Sequence, residues 1–126
     1  GFAEYFGSAD YAVLKTGITP ANRYHFHYLA TLLKRGKLLP LSDYLELSVS
    51  EWRAQNPRTM YAMAWSVIYI LQSHSEGERF TRTLLNQLAE KPCETLDPID
   101  FWNSHYPGGV ANFERRWRAG LLDAAN

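Results

Sequence analysis

Prolines and glycines divide this chain into segments that each have the length of a helix. Between them, apolar residues recur at three- and four-residue steps rather than in alternation, which is the period of an amphipathic helix. Three of the prolines follow a residue that can cap a helix, at Thr19-Pro20, Asn56-Pro57 and Asp97-Pro98. A proline is well tolerated at the first helical position because the amide it lacks would have no partner there. The pattern therefore predicts an all-α fold.

Two serine and glutamate pairs, Ser48 with Glu51 and Ser75 with Glu78, have the spacing of a capping box and mark further helix starts. The segment 57–74 is apolar on nearly all sides, as expected of a helix that is surrounded by others. We therefore predict a compact multi-helix bundle around a central helix near 57–74. The predicted helices lie near 2–9, 21–35, 41–47, 49–55, 57–74, 76–91, 97–104 and 109–124, with a loop over 10–19. Two outer helices carry single apolar stripes, formed by Phe80, Leu84, Leu85 and Leu88 and by Val110, Phe113, Trp117 and Leu121.

Length and composition limit the classes of function. A chain of 126 residues predicts one helical domain over 1–126. Thirteen basic residues balance thirteen acidic ones, so we expect no nucleic-acid partner, and the basic stretch 114–118 reads as a solvated face with Trp117 buried. The single Cys93 excludes an internal disulfide. The longest apolar run, near 60–71, is too short for a membrane span.

The histidines of the chain do not have the spacing of a metal site. His25 and His27 are two residues apart, so on a helix they point in nearly opposite directions, whereas ligand pairs lie three or four residues apart. His74 and His105 stand alone near predicted helix ends. No nucleophile motif and no glycine-rich phosphate loop is present. We therefore predict no metal ligand and no cofactor-binding residue within this chain.

The first residues, "GFAEYF", carry a resemblance to a known family. They resemble the segment Glu-Gly-Phe-Ala-x-Tyr of gluzincin zinc metallopeptidases, in which the leading Glu is the third zinc ligand. That Glu would come directly before Gly1, and the His-Glu-x-x-His helix with two ligands and the general base would lie further upstream. Glu4 would then be a helix-face residue and not a ligand. Because the chain starts with Gly and not Met, we expect it to be the excised C-terminal portion of a longer protein.

The remaining segments are similar to the uncharacterised bacterial peptidase MA-like families. The similarity lies in "YAMAW" at 61–65 followed by Tyr69 and Leu71, in "GERF" at 77–80 and in "FERRW" at 113–117. The resemblance implies the C-terminal helical subdomain of a zinc-dependent peptidase, a hydrolase that binds zinc in the parent protein only. Its partners would be the missing N-terminal catalytic half and a peptide or protein substrate. The chain by itself is expected to be inactive.

The resemblance also points to one catalytic residue, Tyr61. Gluzincins resemble one another in placing a hydrogen-bond donor for the oxyanion, often a Tyr or a His, on a helix downstream of the third ligand. Tyr61 lies near the start of the predicted central helix and fits that position. Aromatic pairs at helical spacing are, however, usually packed together, so a purely structural contact between Tyr61 and Trp65 is the alternative.

Two further functions agree with the same residues. Eight tyrosines and four tryptophans also suit an autonomous helical domain that binds a protein or peptide in an aromatic groove without enzymatic activity. A degenerate peptidase that has kept the fold and lost the metal is the other alternative. If the missing half normally covers one side of the bundle, the isolated chain would expose an apolar face and dimerise through it.

Overall fold

The computed structural model describes residues 20–90 and 97–124, and these residues form helices joined by short connections. Within these two ranges there is no strand, which confirms the predicted all-α fold. The predicted helix near 2–9, the loop over 10–19, Glu4 and Cys93 lie outside the described residues. The helices are α1 (Pro20–Lys34), α2 (Leu41–Glu46), α3 (Val49–Ala54), α4 (Pro57–Gln72), α5 (Ser75–Glu90), α6 (Pro98–His105) and α7 (Gly109–Ala124).

Three of the predicted caps are present. Asn56 accepts a hydrogen bond from the second amide of α4 at 2.9 Å through its side-chain oxygen. Asp97 accepts from the second and third amides of α6 at 3.1 and 3.2 Å. Ser48 and Glu51 form a complete capping box at the start of α3, with bonds of 3.0 and 3.1 Å. Each of these bonds satisfies an amide that has no partner inside the helix.

The predicted capping box at Ser75 is wrong in its position. Helix α5 begins at Ser75 itself, so His74 is the residue that precedes the helix. Only Ser73 and His74 separate α4 from α5, and both side chains bond to the carbonyl oxygen of Ile70, at 2.6 and 2.9 Å. This tight connection starts the next helix one residue earlier than the local pattern indicates.

Helix α4 lies at the centre of the described bundle, as predicted. It contacts α1, α5 and α7. Nine of its residues are buried, and they are Met60, Ala62, Met63, Ala64, Ser66, Val67, Ile68, Ile70 and Leu71. The small residues among them allow neighbouring helices to approach closely.

Helix α7 covers α4 with the predicted apolar stripe. Val110, Phe113, Trp117 and Leu121 are all buried. The indole nitrogen of Trp117 donates to the hydroxyl of Ser66 at 2.9 Å, and that hydroxyl donates to the carbonyl of Met63 at 2.8 Å. The polar atoms at this interface are therefore satisfied. None of the helices over 20–90 and 97–124 is both long and apolar enough to cross a membrane.

Candidate functional site

Polar and aromatic side chains from α1 and α4 meet at the surface of the bundle. We call this surface the α1–α4 face and define it by Tyr24, His25, Tyr28, Arg58, Tyr61 and Trp65. On α4 its members are spaced by three and four residues, which places them on one side of the helix. Tyr24 and Tyr61 are each 56% exposed, more than any other large hydrophobic residue in the described part of the chain. Two large rings exposed on one surface are typical of a binding site.

Arg58 lies between two tyrosine rings of α1. The central carbon of its guanidinium group is 4.0 Å from the ring centroid of Tyr28 and 4.7 Å from that of Tyr24. The guanidinium also donates to the Tyr24 hydroxyl. The hydroxyls of Tyr28 and Thr59 are hydrogen-bonded at 2.6 Å, which links Tyr28 to the same turn of α4. Cation–π contacts of this kind fix the orientation of an arginine without neutralising its charge.

No carboxylate neutralises Arg58 within residues 20–90 and 97–124. The salt bridge that the structure describes joins Arg118 to Glu114 on α7 instead. Arg58 is also exposed. Its positive charge is therefore available to an anionic group from outside the described bundle.

His25 lies beside Tyr61 and Trp65, with ring centroids at 6.0 and 6.4 Å. Burial, and after it the nearby Arg58 guanidinium, lowers the pKa of His25 below its usual 6.5. The imidazole is therefore neutral at pH 7. Its Nδ1 atom is buried and has no hydrogen-bond partner among the described residues. His27, by contrast, is exposed.

Tyr61 does not have the environment of a core residue. More than half of its surface is exposed, and the described ring that it contacts is that of His25. Trp65 stacks on Tyr69 instead, with centroids 5.2 Å apart and an interplanar angle of 13°. The Tyr61 hydroxyl makes no hydrogen bond to another described residue. Among the described residues the phenol is thus a donor without a partner on the α1–α4 face.

The described residues do not fit a zinc site. Over residues 20–90 and 97–124, no group of three or more His, Cys, Asp and Glu side chains could hold a metal ion. His74 bonds to Ile70 and to the Tyr106 hydroxyl, at 2.9 and 2.8 Å. His105 is exposed, and the centroid of its ring lies 4.4 Å from that of Phe101. No zinc chemistry is therefore assigned to these side chains.

The basic stretch of α7 has the predicted structural role. Trp117 is buried, while Arg115 and Arg118 point outward and bond to neighbours one turn away, Asn112 and Glu114. Glu114 also accepts a hydrogen bond from the backbone amide of Leu41 at 3.1 Å, which caps the start of α2. Glu114 thus links α7 to the start of α2, while Arg115 and Arg118 bond within α7.

The motif at 61–65 indicates Tyr61, whereas no sequence pattern singles out Arg58, Tyr24 or Tyr28. The four-residue spacing of Tyr24 and Tyr28 predicts that they share one side of α1. No local pattern shows, however, that this side meets Arg58, because the pairing arises from the contact between α1 and α4. The one available signal was an arginine in the first turn of a central helix, where a basic residue opposes the helix dipole.

Comparison of the chain with protein-family models, with curated proteins and with solved structures gives no match. A functional assignment must therefore rest on the geometry of the α1–α4 face and on the short motifs of the sequence.

Proposed function

We propose that this chain is the C-terminal helical part of a gluzincin-type zinc peptidase and that Tyr61 donates a hydrogen bond to the oxyanion of the reaction. The zinc ligands and the general base belong, in this proposal, to the parent protein upstream of Gly1. The observation that carries the role of Tyr61 is its exposed phenol on α4, which bonds to no other described residue. By itself the chain is inactive.

The setting of Tyr61 suits an oxyanion donor. A donor must already be in place when negative charge develops on the substrate carbonyl, because reorienting it during the reaction would cost free energy. Tyr61 projects from a helix that packs against α1, α5 and α7, so its backbone is held on several sides. The neutral His25 beside it adds no competing charge.

The first test is the coding sequence upstream of the Gly1 codon. A Glu codon directly before Gly1 and a His-Glu-x-x-His motif further upstream are expected. A start codon or an unrelated linker there would exclude the peptidase proposal. An upstream region with the helix but without the zinc ligands would favour the degenerate peptidase.

Where the motif is present, the role of Tyr61 is tested in the longer protein by Tyr61→Phe. Loss of one oxyanion donor is expected to lower kcat by about 100- to 1,000-fold and to change KM little. Tyr69→Phe is the matched control, because it removes a phenol from the same helix one turn beyond Trp65. If Tyr61→Phe turns over peptides at the wild-type rate, Tyr61 has no catalytic role.

The second candidate function is an autonomous domain that binds a peptide on the α1–α4 face. The exposure of Tyr24 and Tyr61 next to Arg58, which has no carboxylate partner among the described residues, favours it, because tyrosine and arginine are enriched in binding hot spots. This function needs no upstream half. Peptide binding by the isolated 126-residue chain, together with an upstream region that lacks the zinc motif, would establish it over the first.

A further inference from the structure

We propose that Arg58 binds the C-terminal carboxylate of a peptide that lies along the α1–α4 face. The inference rests on the proposal that this face meets a peptide, which both candidate functions require, and it adds which end of the peptide is recognised. It makes Arg58 the residue that determines specificity.

Arg58 offers a positive charge that complements a carboxylate. Arg58 is exposed and has no carboxylate partner among the described residues, and the neighbouring imidazole of His25 is neutral at pH 7. Arg58 is thus the cation of this face. A guanidinium group presents parallel N–H donors that match the two oxygens of a carboxylate, and such charge-assisted pairs are among the stronger hydrogen bonds.

The guanidinium group of Arg58 is already oriented before a ligand binds. Its contacts with the Tyr24 and Tyr28 rings, at 4.7 and 4.0 Å, hold it over two aromatic faces. Its bond to the Tyr24 hydroxyl uses one N–H and leaves others for a ligand. An arginine held in this way loses less side-chain entropy on binding than a free one.

Arg58 lies at one end of a row of side chains on the α1–α4 face. Along α4 the row consists of Arg58, Tyr61 and Trp65, and Arg58 lies in the first turn of the helix. The row spans roughly 10 Å at the rise of an α-helix, about the length of three extended residues. The two aromatic residues that α4 contributes to this face, Tyr61 and Trp65, both follow Arg58 along the helix. A peptide whose apolar residues contact these rings would therefore place its final carboxylate, and not a mid-chain group, at Arg58.

The test is an NMR titration of the 126-residue chain with three acetylated tripeptides. The first is Ala-Leu-Phe with a free C-terminal carboxylate, the second is its C-terminal amide, and the third is Ala-Asp-Phe amide, whose carboxylate is on a side chain. We expect the free acid to bind about tenfold more tightly than either amide, as a charge-assisted pair allows. The amide signals that shift should belong to Tyr24, Arg58 and Tyr61.

Arg58→Met should remove the preference for the free acid, so that the free acid and its amide bind with equal affinity. Arg58→Lys should keep part of the preference, because lysine retains the charge without the paired donors. The control is Arg115→Met on α7, which also removes an exposed arginine and should change nothing. Because Arg58 is exposed, these variants are expected to give the wild-type pattern of backbone signals.

Several results would overturn the inference. Equal binding of the free acid and its amide would leave a peptide-binding face in which Arg58 reads no carboxylate. Tighter binding of the aspartate peptide would assign Arg58 to an acidic side chain. Displacement of the free acid by an equal concentration of inorganic phosphate would reveal a general anion site. Failure of all three peptides to bind would also overturn it, whereas the peptidase proposal is decided separately by the upstream coding sequence and Tyr61→Phe.

Discussion

At the scale of single residues, His74 shows how a partly buried imidazole can link two parts of the bundle. Its Nδ1–H donates to the carbonyl of Ile70 at 2.9 Å, and its Nε2 accepts from the hydroxyl of Tyr106 at 2.8 Å. In a protonated ring Nε2 would carry a hydrogen and could no longer accept from Tyr106, so the Tyr106 hydroxyl would have to accept the bond instead. Burial, and then the charge of Arg116, lowers the pKa of His74, while burial raises the pKa of Tyr106 and keeps its phenol protonated.

We predict that the protein loses stability as the pH falls from about 7.5 to about 5.5, because the unfolded chain then binds more protons than the folded one. The pKa of an unfolded histidine is about 6.5, and the folded pKa of His74 is lower. The contribution of His74 to the free energy of unfolding is therefore complete above about pH 6.5, and it is lost as the pH falls through the pKa of His74 in the folded protein. His25 acts in the same direction. Urea unfolding at several pH values measures the effect.

The variant that isolates His74 is His74→Gln. It should be less stable than the wild type at pH 7.5, since the link to Tyr106 is weakened, and its stability should depend less on pH over this range. His27→Gln, at an exposed position of α1, is the control and should keep the full dependence. An unchanged slope in His74→Gln would mean that another group causes the effect.

The candidate site shows which single residues a sequence can identify. Tyr61 is indicated by its place in a motif, and its exposure is a property of the folded chain. Arg58 carries no such motif. Its ring partners lie on α1, 34 residues away for Tyr24, so its environment exists only after α1 and α4 have packed. A local sequence pattern cannot indicate Arg58, because its environment is formed by tertiary contacts.

At the scale of secondary-structure elements, α5 is held close to the end of α4 by Gly77. A Cβ atom at Gly77 would overlap the backbone carbonyl of Leu71 and lie 2.8 Å from Cε1 of His74. Gly120 of α7 also faces α4, but a Cβ atom there would meet the side-chain tip of Ile70, at 2.7 Å. A side-chain tip can rotate away, whereas a carbonyl inside a helical turn cannot.

We therefore predict that Gly77→Ala lowers the free energy of unfolding by more than about 1 kcal/mol, although alanine is the better helix former by about that amount. Gly120→Ala should be close to neutral, because its helix propensity offsets the small rearrangement of Ile70. Urea midpoints of both variants measure the difference. The steric argument fails if Gly120→Ala is the more destabilised of the two.

Helix boundaries could be predicted where the bonds that define them are local. The caps at Ser48, Asn56 and Asp97 each join residues two or three positions apart, so a short sequence pattern is enough. The start of α5 was misplaced because it depends on the approach of two helices. The start of α2 is capped by Glu114, which is 73 residues away, and no local pattern indicates it.

At the scale of the whole molecule, α7 joins the bundle together. It contacts α1, α2, α4 and α6, and so connects the two described ends of the chain with its centre. The apolar stripe of α7 predicts that one side of this helix is buried. The apolar residues on nearly all sides of α4 predict that α4 lies at the centre of the bundle. The sequence does not indicate which helices α7 contacts, because an amphipathic stripe specifies the buried side of a helix and not its partner. The order of packing is decided by the fit of the side chains.

This arrangement leads to a prediction about cooperativity, tested at two adjacent leucines of α7. Leu121 is fully buried and Leu122 is 36% exposed. Leu121→Ala should lower the free energy of unfolding by about 2–5 kcal/mol, as expected for a cavity in a packed core, and Leu122→Ala by about 0.5 kcal/mol or less.

Because α7 contacts four helices, the loss of the Leu121 side chain should destabilise all of them together. Helical circular dichroism and the fluorescence of buried Trp102 and Trp117 should then give the same midpoint in each variant. Separate midpoints in Leu121→Ala would show that α7 detaches while the other helices stay folded.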